Sequence, residues 1–153
     1  MNWKMLGIAI LIPLLVGFVG SYFTISSVNT WYSTLEKPSF NPPSWLFGPV
    51  WTLLYILMGV AFYLVWIAKK NKTAISLYSV QLGLNLLWSV LFFGLRSPIY
   101  GLICIIALWL SIVATMLAFY RVSKTATYLM IPYLLWVSFA SVLNYWIFAL
   151  NGL

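Results

Sequence analysis

The sequence predicts an all-α integral membrane protein: one domain over residues 1–153, built as a five-transmembrane-helix bundle. Three observations carry that prediction. Hydrophobic residues make up 64% of the chain and charged ones 6%, against roughly 45–50% and 25% in ordinary globular domains. Charged positions cut the chain into five uncharged stretches, 5–35, 38–68, 73–95, 97–120 and 125–153, each longer than the roughly 20 residues a helix needs to cross a bilayer. Nine Trp, ten Tyr and ten Phe are more apolar surface than a soluble fold of this length can hide, and the mean hydropathy is +1.03.

The same counts exclude several chemistries. There is no His, one acidic residue (Glu36) and one cysteine (Cys104). A metal cluster, a carboxylate pair, a histidine triad and histidine-ligated haem therefore cannot be built within one chain. An intrachain disulfide is equally impossible. The formal charge of +7 would suggest nucleic acid in a soluble protein. Here the basic residues flank membrane segments, so the expected partner is the lipid bilayer and no nucleic-acid partner is expected.

Helix one is placed near 5–25. It is read as a retained span and not a signal peptide, because its uncharged run is long, Pro13 interrupts it and no A-x-A-like site follows. Residues 26–43 form the one sizeable loop, with Ser, Thr, Asn, Glu36 and the stiffening Pro38, Pro42 and Pro43; long loops in compact proteins are often lids. Helices two to five are placed near 45–68, 74–94, 98–120 and 126–149. Pro98 suits the first turn of helix four, and the interior Pro13 and Pro132 are tolerated where neighbouring segments re-satisfy the backbone. Lys4, Lys69, Lys70, Lys72, Arg121 and Lys124 fall on one side, against Lys37 and Arg96 on the other. That six-to-two split predicts a cytoplasmic N-terminus and an outside C-terminus. Glu36 and Lys37 are read as solvated by default. Arg96 marks the outer end of helix three, with attraction of a ligand carboxylate as the alternative.

Polar and aromatic residues recur at helical spacing. Trp51, Tyr55, Met58 and Phe62 share a face of helix two; Gln81, Asn85, Trp88 and Phe92 share one of helix three; Tyr133, Trp136, Ala140 and Asn144 share one of helix five. Polar groups are costly in hydrocarbon, so Gln81, Asn85 and Asn144 should point inward. A cavity lined by Trp51, Trp88 and Trp136 suits a flat, apolar, partly polar ligand. Interhelical hydrogen bonding alone is the alternative role of the amides, Asn144 above all. Trp3, Trp31, Trp45, Trp66, Tyr120 and Tyr128 lie near helix ends and read as interface anchors. Small residues Ala107, Ser111, Ala114, Thr115 and Ala118 line helix four, and Ser79 and Gly83 make a small patch on helix three. Either set could serve packing within the bundle or a dimer seam.

Three blocks carry a resemblance. One runs Trp31-Tyr32-Ser33-Thr34-Leu35-Glu36-Lys37-Pro38-Ser39-Phe40-Asn41-Pro42-Pro43 into Trp45 and Trp51. A second is Gln81-Leu82-Gly83-Leu84-Asn85-Leu86-Leu87-Trp88 with Phe92-Phe93-Gly94, and a third is Pro132-Tyr133-Leu134-Leu135-Trp136 with Ser138-Phe139-Ala140 and Leu143-Asn144. In order and spacing the chain resembles the translocator protein family, also called tryptophan-rich sensory protein, over most of residues 31–145, as a bacterial-type member in a prokaryotic cell membrane.

The resemblance implies a bundle that is often a homodimer, with a pocket opening toward the 26–43 loop. It implies porphyrins such as protoporphyrin IX as ligand or substrate, with no obligatory cofactor, in tetrapyrrole transport, sensing or sequestration. Light- and oxygen-dependent porphyrin degradation is the alternative, with Trp51 and Trp136 as its catalytic residues. By the same resemblance Tyr32, Pro42, Trp51, Tyr55, Asn85, Trp88, Trp136 and Ala140 line the pocket. Tyr100 stands where animal members have a pocket Trp. Asn41 and Ser44 stand where animal members have His, so histidine coordination of haem iron is not available. The sterol pattern is incomplete, because no Lys or Arg follows Leu143 and Tyr145, and sterol binding is poorly supported.

Overall fold

The computed structural model describes residues 1–68 and 71–153. Among the described residues, five helices are long and apolar enough to cross a membrane. They are α1 (Trp3–Val28), α3 (Phe47–Ala68, led in by a 3₁₀ turn at Ser44–Leu46), α4 (Lys72–Ser89, continuing through Gly94), α5 (Pro98–Tyr120) and α6 (Lys124–Asn151). A short α2 (Trp31–Thr34) sits in the loop after α1. No strand occurs among the described residues. Lys69 and Lys70, two of the basic residues in the orientation argument, lie outside the described residues.

Local chemistry sets the boundaries. Side chains of Asn2, Asn71, Ser97 and Ser123 accept from the first-turn backbone N–H groups of α1, α4, α5 and α6, the usual role of these residues at a helix start. Gly152, at φ 64°, ends α6 in the left-handed conformation. α1 runs to Val28, past the expected limit near residue 25. Its terminal hydroxyls turn back onto the helix: Thr24 donates to the Gly20 carbonyl and Ser26 to that of Phe23. Part of the expected loop is thus helical.

The end of α4 widens into a π turn over Val90–Gly94, where the Leu95 N–H donates to the Val90 carbonyl at 2.8 Å. Such turns interrupt the 3.6-residue period. Here it buries Phe92 and Phe93 side by side, ring centroids 4.8 Å apart. Ser27 of α1 donates to the Phe93 carbonyl at 2.7 Å. Arg96 then takes a positive φ of 53° and breaks the chain toward α5.

The helices pack as a ring: α1 lies between α3 and α4, α6 joins α3 to α5, and α5 closes onto α4. Outward faces are apolar, as on α1 (Leu11, Leu15, Phe18) and α5 (Ile103, Ile106, Leu110), all exposed. On a chain with five such helices these are lipid contacts, and the protein is an integral membrane protein. Where α1 crosses α3 the backbones nearly touch: a Cβ on Gly59 would lie 2.5 Å from Ile10 Cα and 2.8 Å from the Ala9 carbonyl oxygen. Gly59→Ala should therefore cost about 1–3 kcal/mol of stability, measured by thermal unfolding in detergent. Gly83→Ala is the control, since nothing lies within 4 Å of its Cβ; it should lose none.

Candidate functional site

A cavity of about 580 Å³ lies in the half of the bundle that carries α2, enclosed by α1, α3, α4 and α6. Its size falls within the roughly 300–1,000 Å³ of small-molecule sites. Helical repeats place its walls: Trp51 and Tyr55 from α3, Trp88 and Phe92 from α4 and its π turn, Trp136 and Ala140 from α6. Gly17, Ser21 and Thr24 of α1 form the side facing them, and Tyr32 of α2 closes the end. Among the described residues, no wall side chain is charged.

The aromatic walls brace one another. Trp51 stacks on Tyr55 (centroids 5.6 Å, planes 27° apart) and meets Tyr133 edge-on at 6.2 Å. Trp88 stacks on Phe92 at 5.3 Å, and Trp136 packs between Phe47 and Phe139. The Tyr55 ring lies where a side chain on Gly17 would stand, so the absent Cβ lets the tyrosine seat against α1.

Behind this wall runs a buried polar chain. Tyr55 donates its hydroxyl to Asn85 Oδ1 at 2.7 Å, Asn85 Nδ2 donates to the Tyr133 hydroxyl at 3.0 Å, and Tyr133 donates to Gln81 Oε1 at 3.0 Å. Asn144 links three helices, accepting from Trp88 Nε1 at 3.1 Å and donating to the Pro98 carbonyl at 2.8 Å. Two further wall indoles differ from Trp88: among the described residues, no hydrogen bond engages Trp51 Nε1 or Trp136 Nε1. They are donors free for a ligand.

The loop at this end of the bundle is held by side-chain hydrogen bonds. The Asn151 side chain at the end of α6 accepts from the Glu36 N–H and donates to the Glu36 carbonyl, both at 2.9 Å. Tyr32 donates to Asn41 Oδ1 at 2.8 Å. Burial pushes the Tyr32 phenol up to about 12, so it remains a donor at neutral pH. Lys37 caps the Leu35 carbonyl at 3.0 Å and sits 4.9 Å from the Tyr32 ring centroid.

A model of the TspO/MBR family matches residues 9–150. The chain belongs to that family. It is 52% identical to the Tryptophan-rich protein TspO of Chlorobaculum tepidum over 99% of both chains. It is 49% identical to the Tryptophan-rich protein TspO of Archaeoglobus fulgidus, over 99% of this chain and 100% of that one. Against the Translocator protein of Homo sapiens it is 41% identical over 88% of this chain and 83% of the other.

The positions singled out in this TspO/MBR chain are not all brought together. Tyr32, Trp51, Tyr55, Trp88, Trp136 and Ala140 stand in the cavity wall. Asn85 does not: it is buried behind Tyr55 and reaches the cavity only through that hydroxyl. Pro42 is outside the wall and serves the loop, its carbonyl accepting from Asn41 Nδ2 at 3.1 Å. Tyr100 is 56% exposed, on a helix that contributes nothing to the wall. Its neighbour Gly101 is the inward residue, packed against Phe92 and Asn144, and one helical step from it turns Tyr100 outward.

Trp45, expected as an interface anchor, is 71% exposed and also borders the cavity. The sequence reading missed the α1 wall and Phe93. Gly17 and Gly20, one turn apart, were the available signal for α1, since small residues at that spacing let another element approach. Phe93 carried none, because its inward position depends on the π turn.

Proposed function

We propose that this TspO/MBR-family chain binds porphyrins, flat tetrapyrroles of the protoporphyrin IX kind, and acts in their transport, sensing or sequestration. The observation that carries the reading is the uncharged cavity with Trp51, Trp88, Trp136 and Tyr55 in its walls and two free indole donors. Aromatic faces offer area and stacking to a planar macrocycle, and a few donors fix its orientation. The printed names of relatives, translocator protein and tryptophan-rich sensory protein, are in keeping with such roles. The reading further places the N-terminus in the cytoplasm, requires no cofactor, and has two chains pairing in the membrane.

Titration of protoporphyrin IX into the protein in lipid nanodiscs, followed by tryptophan fluorescence, tests it. Saturable quenching at one ligand per chain, in the micromolar range or tighter, is the expected result; about −8 kcal/mol corresponds to that affinity. Quenching that rises linearly and matches partitioning into protein-free discs would overturn the reading.

A further inference from the structure

We propose that the cavity fills and empties sideways, through a slit between α1 and α3, so that its ligand is exchanged with the acyl region of the bilayer and not with water. This rests on the reading that the cavity holds a flat apolar ligand.

Exposure of the wall residues points to the slit. Those left exposed come from two strips only: α1 with its cap, including Phe18, Ile25 and Asn29, and the start of α3 with the turn leading into it, including Trp45, Gly48 and Thr52. Every wall residue from α4 and α6 is buried or half-buried. The two helices that bear the lips are zipped elsewhere. At Gly59 there is no room for even a methyl group against the α1 backbone, whereas around Gly48 nothing lies within 4 Å of an added Cβ. Tyr55 seated on Gly17 closes the bottom of the gap.

From Phe18 to the end of α1 at Val28 is ten residues, about 15 Å of helix, or half of a hydrocarbon core about 30 Å thick. The slit therefore faces acyl chains from near the bilayer centre to the headgroup level. At the loop end the Asn151 side chain clasps Glu36, and Tyr32 bonds Asn41; on this proposal these contacts hold the loop in place during exchange. With lips of Phe18, Ile25 and Trp45 and no charged wall residue among those described, the slit admits an apolar planar body. A carboxylate on such a ligand would trail at the headgroup end.

Two variants separate the routes, in proteoliposomes with protoporphyrin IX supplied in the lipid and tryptophan quenching followed by stopped flow. Gly48→Phe, which puts a ring into the empty gap, should slow association and dissociation alike by about tenfold, so that Kd changes far less than either rate. Asn151→Ala, which frees the loop, should leave both rates unchanged. If Asn151→Ala speeds both rates and Gly48→Phe alters neither, the ligand passes under the loop and the proposal is overturned.

A second measurement needs no porphyrin and so stands if the porphyrin reading fails. In phosphatidylcholine brominated on its acyl chains, the part of the emission lost in Trp51→Phe should be quenched in the wild-type protein. Gly48→Phe should reduce that quenching. Equal quenching of the two proteins would overturn the slit.

Discussion

Tyr133→Phe is expected to destabilise the bundle by about 2 kcal/mol or more, although it removes a single oxygen atom. Tyr133 is fully buried, and its hydroxyl both accepts from Asn85 Nδ2 and donates to Gln81 Oε1. Deleting it leaves a buried amide donor and a buried amide acceptor without these partners, and each orphaned group costs about 1–3 kcal/mol. Water cannot easily restore the pair, since the site lies at membrane depth among packed aromatic rings. An average intramembrane hydrogen bond contributes only about 0.6 kcal/mol, so the expected excess is the signature of a connected chain. Tyr55→Phe supplies the comparison: it frees only Asn85 Oδ1 and should cost roughly half as much. Unfolding in mixed micelles measures both. A Tyr133→Phe loss no larger than that of Tyr55→Phe would show that the amides re-pair elsewhere.

Four of the five long helices were legible at their starts because one physical quantity, charge, marks them. The caps Asn2, Asn71, Ser97 and Ser123 lie within two residues of Lys4, Lys72, Arg96 and Lys124, so the positions where charge interrupts the apolar runs nearly coincide with those where hydrogen bonding starts a helix. Position within a face was less legible. Periodicity puts Asn85 and Trp88 on one face of α4, yet Trp88 meets the cavity and Asn85 meets Tyr55. A face has depth, and which residue is screened by a side chain from another helix is a tertiary fact. The π turn is a second case, because a period of 3.6 residues projects Phe92 inward but not its neighbour Phe93. Tyr100 is the third: a single residue near a helix start says nothing about that helix's rotation, which the close fit of Gly101 against Phe92 and Asn144 decides.

Replacing Trp51 and Trp136 together by leucine should weaken protoporphyrin IX binding by about 100-fold. Aromatic pairing contributes about 0.5–1.5 kcal/mol per ring beyond burial, and about 2.8 kcal/mol for the two equals a hundredfold change in affinity. The free indole N–H groups would be lost as well. Replacement by phenylalanine keeps the rings and removes those donors, so a loss of about tenfold is expected from missing hydrogen bonds. These milder variants also separate binding from light-driven degradation. Trp51 stacks on Tyr55, and Tyr55 leads into the buried polar chain, which gives a wall tryptophan oxidised by excited porphyrin and oxygen an adjoining tyrosine. If the indoles take part, Trp51→Phe and Trp136→Phe at saturating porphyrin slow light-dependent bleaching by about tenfold or more, equivalent to about 1.4 kcal/mol in the barrier. If the bound pigment merely sensitises oxygen, bleaching per bound porphyrin is unchanged and its products are the same. An unchanged rate in both variants would show that Trp51 and Trp136 take no part in the bleaching.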